Sequence, residues 1–330
     1  YLAPKRLLLI LDNAEEILDP ALVLQILAQA PNTRLLVTSR TALNLQQEWL
    51  YPIGGMDIGT AEDENRVDTQ PQVADAPADT PADAVLLFQQ RALRVQPAFD
   101  LAAEYPHVQQ ICRLVDGAPL AIELAAAWLK ALPCAEVAHE LARGIDLLTT
   151  SMRDVPLRHR SLRAVLAQSW AYLAADEQAV FQSLSVFEGG FRLEAAQAVV
   201  APPLPVLVAL VEKAMLQLAP DGRYRIHALL RQLGAGHLAA APAESTGGLG
   251  ACRDRHAAYY LAFVAARRTA LAGPAQMAAL REIQEEMDNI RAAWTHAGTH
   301  GALGPLAAAQ GALFRFLWMR GRYAEGDQLA

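Results

Sequence analysis

Lysine is scarce in this 330-residue chain, which contains only Lys5, Lys130 and Lys213. None of the three follows a glycine, and none precedes a serine or a threonine. A phosphate-binding loop of the P-loop kind needs Gly-Lys followed by Ser or Thr, because the loop amides and the lysine surround the phosphates together. The sequence therefore excludes a P-loop within these residues.

Cysteine and aromatic residues are few, and long apolar runs are missing. The three cysteines lie far apart and in no metal-ligand spacing, which excludes a disulfide framework and suits a reducing compartment. No apolar run approaches the roughly 18 residues that would span a bilayer, and residues 1–20 show no signal-peptide pattern. We therefore expect a cytoplasmic protein without a membrane partner. The chain starts at Tyr1, directly before a strand, and we expect it to be a piece of a longer protein.

A surplus of positive charge is missing as well, since the formal net charge is −7. Residues 57–83 contain eight acidic residues and one arginine, so this segment accounts for the whole net charge. Neither this segment nor the rest has the basic surplus typical of proteins that bind nucleic acid. Hydrophobic residues make up 53% of the chain, and the helix-favouring Ala and Leu are abundant. The composition therefore predicts mostly helical domains with packed cores.

Two short apolar runs stand near the start of the chain, LLLIL at 7–11 and RLLVT at 34–38. Such runs are typical of parallel strands that are buried on both faces. Between them lies a helical pattern that begins at Asp19-Pro20, a good cap and first helical residue. The sequence therefore predicts a strand–helix–strand unit. Two strands do not form a stable open sheet alone, so we expect further strands upstream.

Polar side chains follow both of these strands. Asp12 comes directly after the first strand and could hold Mg²⁺ through water, with Glu15 placed to orient a water molecule. Thr38 and Arg40 follow the second strand, where a hydroxyl and a guanidinium could contact a terminal phosphate. Adjacent parallel strands would bring all four residues to the same edge of the sheet. The alternatives are that Asp12 only caps the next helix and that Thr38 and Arg40 are an ordinary polar strand end.

The Gly117–Pro119 turn and His227 are further candidates for ligand binding, and each also has an ordinary structural explanation. Gly117 and Pro119 join two helices, and a glycine stop followed by a proline start explains them without any ligand. His227 follows a strand of the hairpin predicted around Asp221-Gly222 and precedes a helix, where it could donate to a phosphate. A single histidine in an apolar setting is more often structural.

The order of these motifs resembles the NB-ARC-type STAND signalling ATPases, and most closely the bacterial predicted-ATPase branch found in large transcriptional regulators. The resemblance runs through LLLILDNAEE, RLLVTSRTAL, VDGAPLAIELAAA, LSVFEGGF and YRIHALLRQL. It implies a mostly α fold with a partial α/β core: a truncated RecA-like parallel sheet, a helical lid, a winged helix and tetratricopeptide-like hairpins. The implied domains are the C-terminal part of the RecA-like core at 1–56, an acidic Pro/Ala linker at 57–82, the lid at 83–150, the winged helix at 151–240, a linker at 241–252 and the start of the tetratricopeptide-like region at 253–330.

The resemblance also implies ATP or ADP with Mg²⁺ as the cofactor. Asp12 would be the magnesium ligand and, with Glu15, a catalytic residue. Arg40 and Thr38 would contact the γ-phosphate end. Pro119 would pack on the adenine, Gly117 is a further cofactor-binding candidate, and His227 would contact the β-phosphate of ADP.

Three departures from the family pattern limit what the chain should do alone. Asn13 stands where many relatives have a second acid, Ala228 replaces the Asp of the Met-His-Asp motif, and the P-loop is absent. The resemblance therefore predicts a nucleotide-dependent signal-transduction switch whose isolated fragment binds nucleotide poorly and is inactive as an ATPase. Protein partners or an inducer would bind through the C-terminal helices, DNA only through a domain outside this chain, and assembly into an oligomer would depend on nucleotide.

Two other functions stay open at this point. The first is a DNA-binding regulator that uses the winged helix itself, with Arg223, Arg225 and Arg231 as contacts. Against it, the candidate recognition helix VLVALVEKAM is almost wholly apolar and is expected to be buried. The second is a helical scaffold that works without nucleotide.

Overall fold

A computed structural model describes residues 2–14, 19–59, 81–144, 148–149, 161–240 and 248–329. Within these residues the chain is mostly helical, with one small parallel sheet and one small antiparallel sheet, which confirms the predicted fold class. Glu15, most of the predicted acidic linker (60–80) and residues 241–247 lie outside the described residues. Helices long and apolar enough to cross a membrane are absent from the described part of the chain.

The predicted strand–helix–strand unit is present at the start of the chain. Strand β1 (Leu7–Leu11) pairs in parallel with β2 (Thr33–Val37), and helix α1 (Pro20–Gln29) connects them. The Asp19 side chain accepts a hydrogen bond from the backbone N–H of Ala21 at 2.9 Å, so this aspartate caps α1.

The expectation that both strands are buried on both faces is wrong for these two strands. Every second side chain on the sheet is exposed: Leu8 by 58%, Ile10 by 60% and Leu36 by 52%. The physical reason is that the sheet has two strands and a single crossover helix, so nothing among the described residues covers its second face. An apolar pattern shows that a strand can be buried on both faces. It does not show which other element covers each face.

The first helical unit comprises residues 83–143 and has its own core. Phe88, Ile111, Ile122 and Leu141 are fully or almost fully buried at its centre. Asp100 caps its second helix by accepting from the N–H of Ala102. The helices are α2 (Asp83–Val95), α3 (Leu101–Leu114), α4 (Pro119–Ala127) and α5 (Cys134–Arg143).

The middle unit comprises residues 161–240 and contains helices around a three-stranded antiparallel sheet. The predicted Asp221-Gly222 hairpin is confirmed, since Leu218 pairs with Tyr224 and Gly222 has a φ of +78°. A short extra strand, which the sequence analysis did not predict, pairs with the hairpin. The elements are α6 (Leu162–Ala171), α7 (Ala175–Leu184), β3 (Gly190–Phe191), α8 (Leu193–Val199), α9 (Leu204–Glu212), β4 (Gln217–Leu218), β5 (Tyr224–Arg225) and α10 (Ala228–Ala240).

The C-terminal helices share one continuous apolar core with the middle unit. The ring centroids of Phe187 and Tyr260, one from each part, are 6.2 Å apart in an edge-to-face contact. The first of these helices begins at Gly248, inside the segment 241–252 that the sequence predicted as a linker, and Cys252 in its second turn is fully buried. The helices are α11 (Gly248–Ala266), α12 (Gln276–Glu285), α13 (Met287–Thr299), α14 (Leu303–Met319) and α15 (Tyr323–Leu329).

Candidate functional site

The carboxyl ends of β1 and β2 bring Asp12 and Thr38 into direct contact. The backbone N–H of Thr38 donates to the carbonyl of Leu11 at 2.9 Å, which continues the strand pairing by one residue. The Thr38 hydroxyl then donates to Asp12 Oδ1 at 2.5 Å, and it accepts from the N–H of Asn13 at 3.1 Å. The threonine therefore fixes the orientation of the carboxylate at the edge where ligands bind in parallel sheets.

The helix-capping alternative for Asp12 does not apply to α1, because Asp19 caps that helix. Asp12 is exposed at the sheet edge. No group of three or more His, Cys, Asp or Glu side chains that could hold a metal occurs among the described residues. Magnesium commonly keeps several waters and takes only one or two protein carboxylates, so a single oriented aspartate is compatible with it. Glu15, the second predicted acid, lies outside the described residues.

Arg40 lies at the junction between the sheet and the middle unit. Its Nη1 donates to Ser169 Oγ at 3.0 Å, and Ser169 belongs to α6. Two residues further on, the N–H of Ala42 approaches the carbonyl of Glu212 at the end of α9, at 3.4 Å. The segment after β2 therefore connects the sheet edge to two helices of the middle unit.

Gly117 is required by the close approach of two backbone segments. It has a φ of +66° and its carbonyl accepts from the N–H of Met56 at 2.9 Å. A Cβ on Gly117 would lie 2.3 Å from the Met56 carbonyl oxygen, and a Cβ on Gly55 would lie 2.0 Å from that of Asp116. Any side chain at either glycine would separate the segments, so the turn needs glycine at both positions. Pro119 follows as the first residue of α4 and is exposed, which leaves its ring accessible.

His227 lies against this same turn, although it comes from the middle unit. Its Nε2 is 3.7 Å from Asp116 Oδ2, and its Nδ1 accepts from the N–H of Leu229 at 3.3 Å. Because Nδ1 accepts, the neutral ring carries its proton on Nε2, on the side of the carboxylate. Burial lowers the pKa of His227, while the charge of Asp116 acts in the opposite direction, and the net shift is downward. At neutral pH the histidine is therefore uncharged.

Asp116 is the site residue that the sequence reasoning missed. The signal was present as the acid directly before Gly117 in VDGAPL, but a contact between residues 116 and 227 cannot be read from spacing. Leu229, two residues after His227, is buried in the core of the first helical unit. The first turn of α10 thus holds the two helical units together at the point where His227 meets Asp116.

A chain of contacts connects the sheet edge to this junction. Arg40 contacts α6 through Ser169, and α6 packs on α10, where Trp170 stacks on His237 with ring centroids 4.3 Å apart. Helix α10 begins one residue after His227. The predicted residues Asp12, Thr38, Arg40, Gly117, Pro119 and His227 therefore occur on segments that touch one another in series.

The arginines of the DNA-binding alternative are each paired with an acid. Arg223 is buried and forms a two-point ion pair with Glu286. Arg225 lies 3.7 Å from Asp221 and Arg231 lies 2.6 Å from Glu188. The expected burial of the candidate recognition helix is only partial: Val206, Leu207 and Leu210 of α9 are buried. Its exposed side chains include the apolar Leu204 and Val208 and the acidic Glu212, and none of these three is basic. Groove reading needs basic and polar side chains that are available to phosphates and base edges, and this surface does not offer them.

Some of the proteins that are similar to this chain are named as regulators of transcription. No family model matches the chain. A protein of Mycobacterium tuberculosis and one of Mycobacterium bovis, both named as candidate HTH-type transcriptional regulators, are 32% identical over 315 residues, which cover 91% of this chain and 32% of each relative. The chain thus spans about a third of their length. A further M. tuberculosis protein, whose name assigns no function, is 34% identical over 197 residues, covering 59% of this chain and 44% of that protein.

One comparison with a solved structure matches most of the chain at a low score. A Signal Transduction ATPase with Numerous Domains (STAND) protein with a tetratricopeptide repeat sensor, from Pyrococcus horikoshii, is 12% identical, and the match covers 94% of this chain and 43% of that one. Its TM-score is 0.25, so this likeness carries no weight for the arrangement of the units or for the site.

Proposed function

We propose that this chain is the signal-transducing part of a regulator of transcription and that it acts as a nucleotide-dependent switch of the NB-ARC-type STAND kind. One observation carries the proposal: His227 of the middle unit lies against the Asp116–Pro119 turn of the first helical unit. A two-state switch needs such a junction, where a small ligand can favour one arrangement of two packed units over another. The regulatory names of the relatives support the same role.

Under this proposal the cofactor is ATP or ADP with Mg²⁺, and each described site residue has a task. Asp12, oriented by Thr38, fits a magnesium ion bound through water. Arg40 would contact the terminal phosphate, since a guanidinium is well matched to phosphate oxygens. The exposed ring of Pro119 offers an apolar surface for a base. Bound nucleotide would supply the charge that distinguishes the two states.

These residues do not form a site suited to the phosphates of a nucleotide. The chain contains no Gly-Lys-Ser/Thr sequence, and neutral His227 lies beside the carboxylate of Asp116. A negative group next to that pair would be repelled by Asp116 unless the carboxylate moved. We therefore propose that the chain alone binds nucleotide weakly, that hydrolysis is not an activity of the isolated chain, and that the closed contact of His227 with Asp116 has to change when nucleotide binds.

The middle unit, which we assign as a winged helix, and the first helical unit, which we assign as the lid, would move relative to one another about this contact. The C-terminal helices, assigned as the start of a tetratricopeptide-like region, would receive a protein partner or an inducer. Any DNA contact would belong to a part of the regulator outside these residues, because Arg223, Arg225 and Arg231 are paired with acids.

The deciding experiment compares this chain with a version extended upstream in its own reading frame. Calorimetry with ATP and ADP, with and without Mg²⁺, should show weak or no binding to the chain and at least a hundredfold tighter binding to the extended protein. Asp12→Asn in the extended protein should remove the Mg²⁺ dependence, whereas Asp176→Asn, an exposed acid in the first turn of α7, should leave it unchanged.

An extended protein that contains no Gly-Lys-Ser/Thr loop, or that contains one and binds neither nucleotide, would refute the switch. The helical scaffold would then be the better reading, and it predicts partner capture that is the same with and without nucleotide.

A further inference from the structure

A cavity of about 400 Å³ lies where the middle unit meets the C-terminal helices, away from the residues proposed for nucleotide. It is bounded by the start of α8, the second half of α11 and the end of α12. The volume is within the range of roughly 300–1,000 Å³ that small-molecule sites usually have. Because both parts of the chain line it, an occupant would contact both sides of their shared core.

One buried polar group, the hydroxyl of Tyr260, lies behind the wall of this cavity. Tyr260 is fully buried, and its hydroxyl interacts with Glu286 and has no surface open to the cavity. Burial raises the pKa of Tyr260, and the nearby charge of Glu286, which also lines the cavity, raises it further. The hydroxyl is therefore a neutral donor and acceptor. An occupant of the cavity would therefore contact the other lining residues and not this hydroxyl.

The charges around the cavity leave one carboxylate uncompensated. Glu282 pairs with Arg267 at 2.7 Å and Glu285 pairs with Arg192 at 3.2 Å. Glu286 is matched by Arg223, as described above. The remaining acid of the wall, Glu194 at the start of α8, has no ion-pair partner among the described residues. The wall therefore carries a net charge close to −1.

The uncompensated acid is close to aromatic surface. Burial raises the pKa of Tyr259 most, the charge of Glu286 comes next, and the charge of Glu194 raises it further, so Glu194 lies near this phenol. The neighbouring ring of Phe263 is already covered by the guanidinium of Arg267, 3.2 Å from the ring centroid, which shows that this wall accommodates a cation over an aromatic face.

From these observations we infer that the cavity is a binding site for a small organic cation, a primary amine with an apolar or aromatic body. Its ammonium group would pair with Glu194 and lie against the face of Tyr259. An anion would meet the charge of Glu194, and the two guanidiniums of the wall are already engaged with acids. Occupancy would stabilise the arrangement in which α8 and α11 are packed as described here.

Calorimetry on the purified chain with 2-phenylethylamine tests this inference, with 2-phenylethanol as a control of the same size that has a hydroxyl in place of the ammonium group. The amine should bind saturably at one site, with a Kd in the range of about 0.1–5 mM expected for so few atoms. The alcohol should bind at least about tenfold more weakly, since it lacks the charge. The readout needs no nucleotide, so its outcome is separate from that of the switch experiment.

Two variants locate the binding. Glu194→Gln changes an exposed side chain and should weaken amine binding about tenfold, whereas Glu136→Gln, an exposed acid on α5, should not change it. Equal binding of amine and alcohol, no saturation by 20-fold above the expected Kd range, or unchanged affinity in Glu194→Gln would each overturn the inference.

Discussion

The ion pair between Arg223 and Glu286 joins the hairpin of the middle unit to the C-terminal helices, and removing its acid should be costly. Both side chains are at least nine-tenths buried. Besides the two-point contact with Glu286, Arg223 Nη2 donates to the carbonyl of Gly190 at 2.6 Å. Burial opposes the charged guanidinium, but the carboxylate more than offsets this and the net effect raises the pKa of Arg223. A guanidinium stays protonated in proteins even without a counterion, so the arginine remains charged when its partner is lost.

Glu286→Gln keeps the size of the side chain and leaves that charge without a counterion. Loss of one partner of a buried pair typically costs about 3–5 kcal/mol, and we expect this decrease in the free energy of unfolding. The double variant Arg223→Met/Glu286→Met removes both charges, and Asn289 Nδ2 still donates to the Gly190 carbonyl at 2.9 Å. It should therefore lie within about 2 kcal/mol of the parent protein.

Urea unfolding at neutral pH, followed by circular dichroism and linear extrapolation, measures these changes. Glu285→Gln is the matched control, because Glu285 pairs with Arg192 at the same junction but both are more than a third exposed. The control should cost less than about 1 kcal/mol. If Glu286→Gln cost no more than the control, or if the double variant cost more than Glu286→Gln, Arg223 and Glu286 would not form a coupled buried pair.

Three further predictions concern other parts of the chain. Burial lowers the pKa of His256 to about 4, so the unfolded state takes up a proton before the folded state does as the pH falls below about 6.5. The free energy of unfolding should therefore drop by about 2 kcal/mol between pH 7.5 and 5 relative to His256→Gln. Urea unfolding at both pH values measures this change. Gly117→Ala should cost about 2 kcal/mol or more, through its positive φ and the contact with a carbonyl oxygen at 2.3 Å, whereas Gly236→Ala in α10, where a Cβ meets nothing within 4 Å, should be neutral or stabilising in the same assay. Burial raises the pKa of Cys112 and of Cys134 to about 12, so a thiol reagent at pH 8 should label them only after unfolding, and labelling of either in the native protein would contradict their placement.

Local signals in the sequence predicted most of the elements. Asp19-Pro20 gave the start of α1, and Asp221-Gly222 gave the hairpin, because capping and turn chemistry act over a few residues. The helices of the first unit followed from apolar periodicity. These features depend on neighbours along the chain, which is why a single sequence suffices for them.

The contacts that define the site could not be predicted in the same way. His227 and Asp116 are far apart in the sequence, and either residue has an ordinary structural explanation by itself. Arg223 looked like a surface arginine suited to phosphate, yet the structure buries it against Glu286. The pairing of each acid with a basic residue depends on how whole units pack. Periodicity in the sequence does not encode this pairing.

Helix α10 contacts both hydrophobic cores within its first turn, because Leu230 packs against the core of the middle unit. Leu229 in its first turn is buried with the first helical unit, while later turns pack on α7 and α11. Its 13 residues correspond to a rod about 20 Å long. Because His227 directly precedes this helix, a rotation of the helix would change the gap between His227 and Asp116.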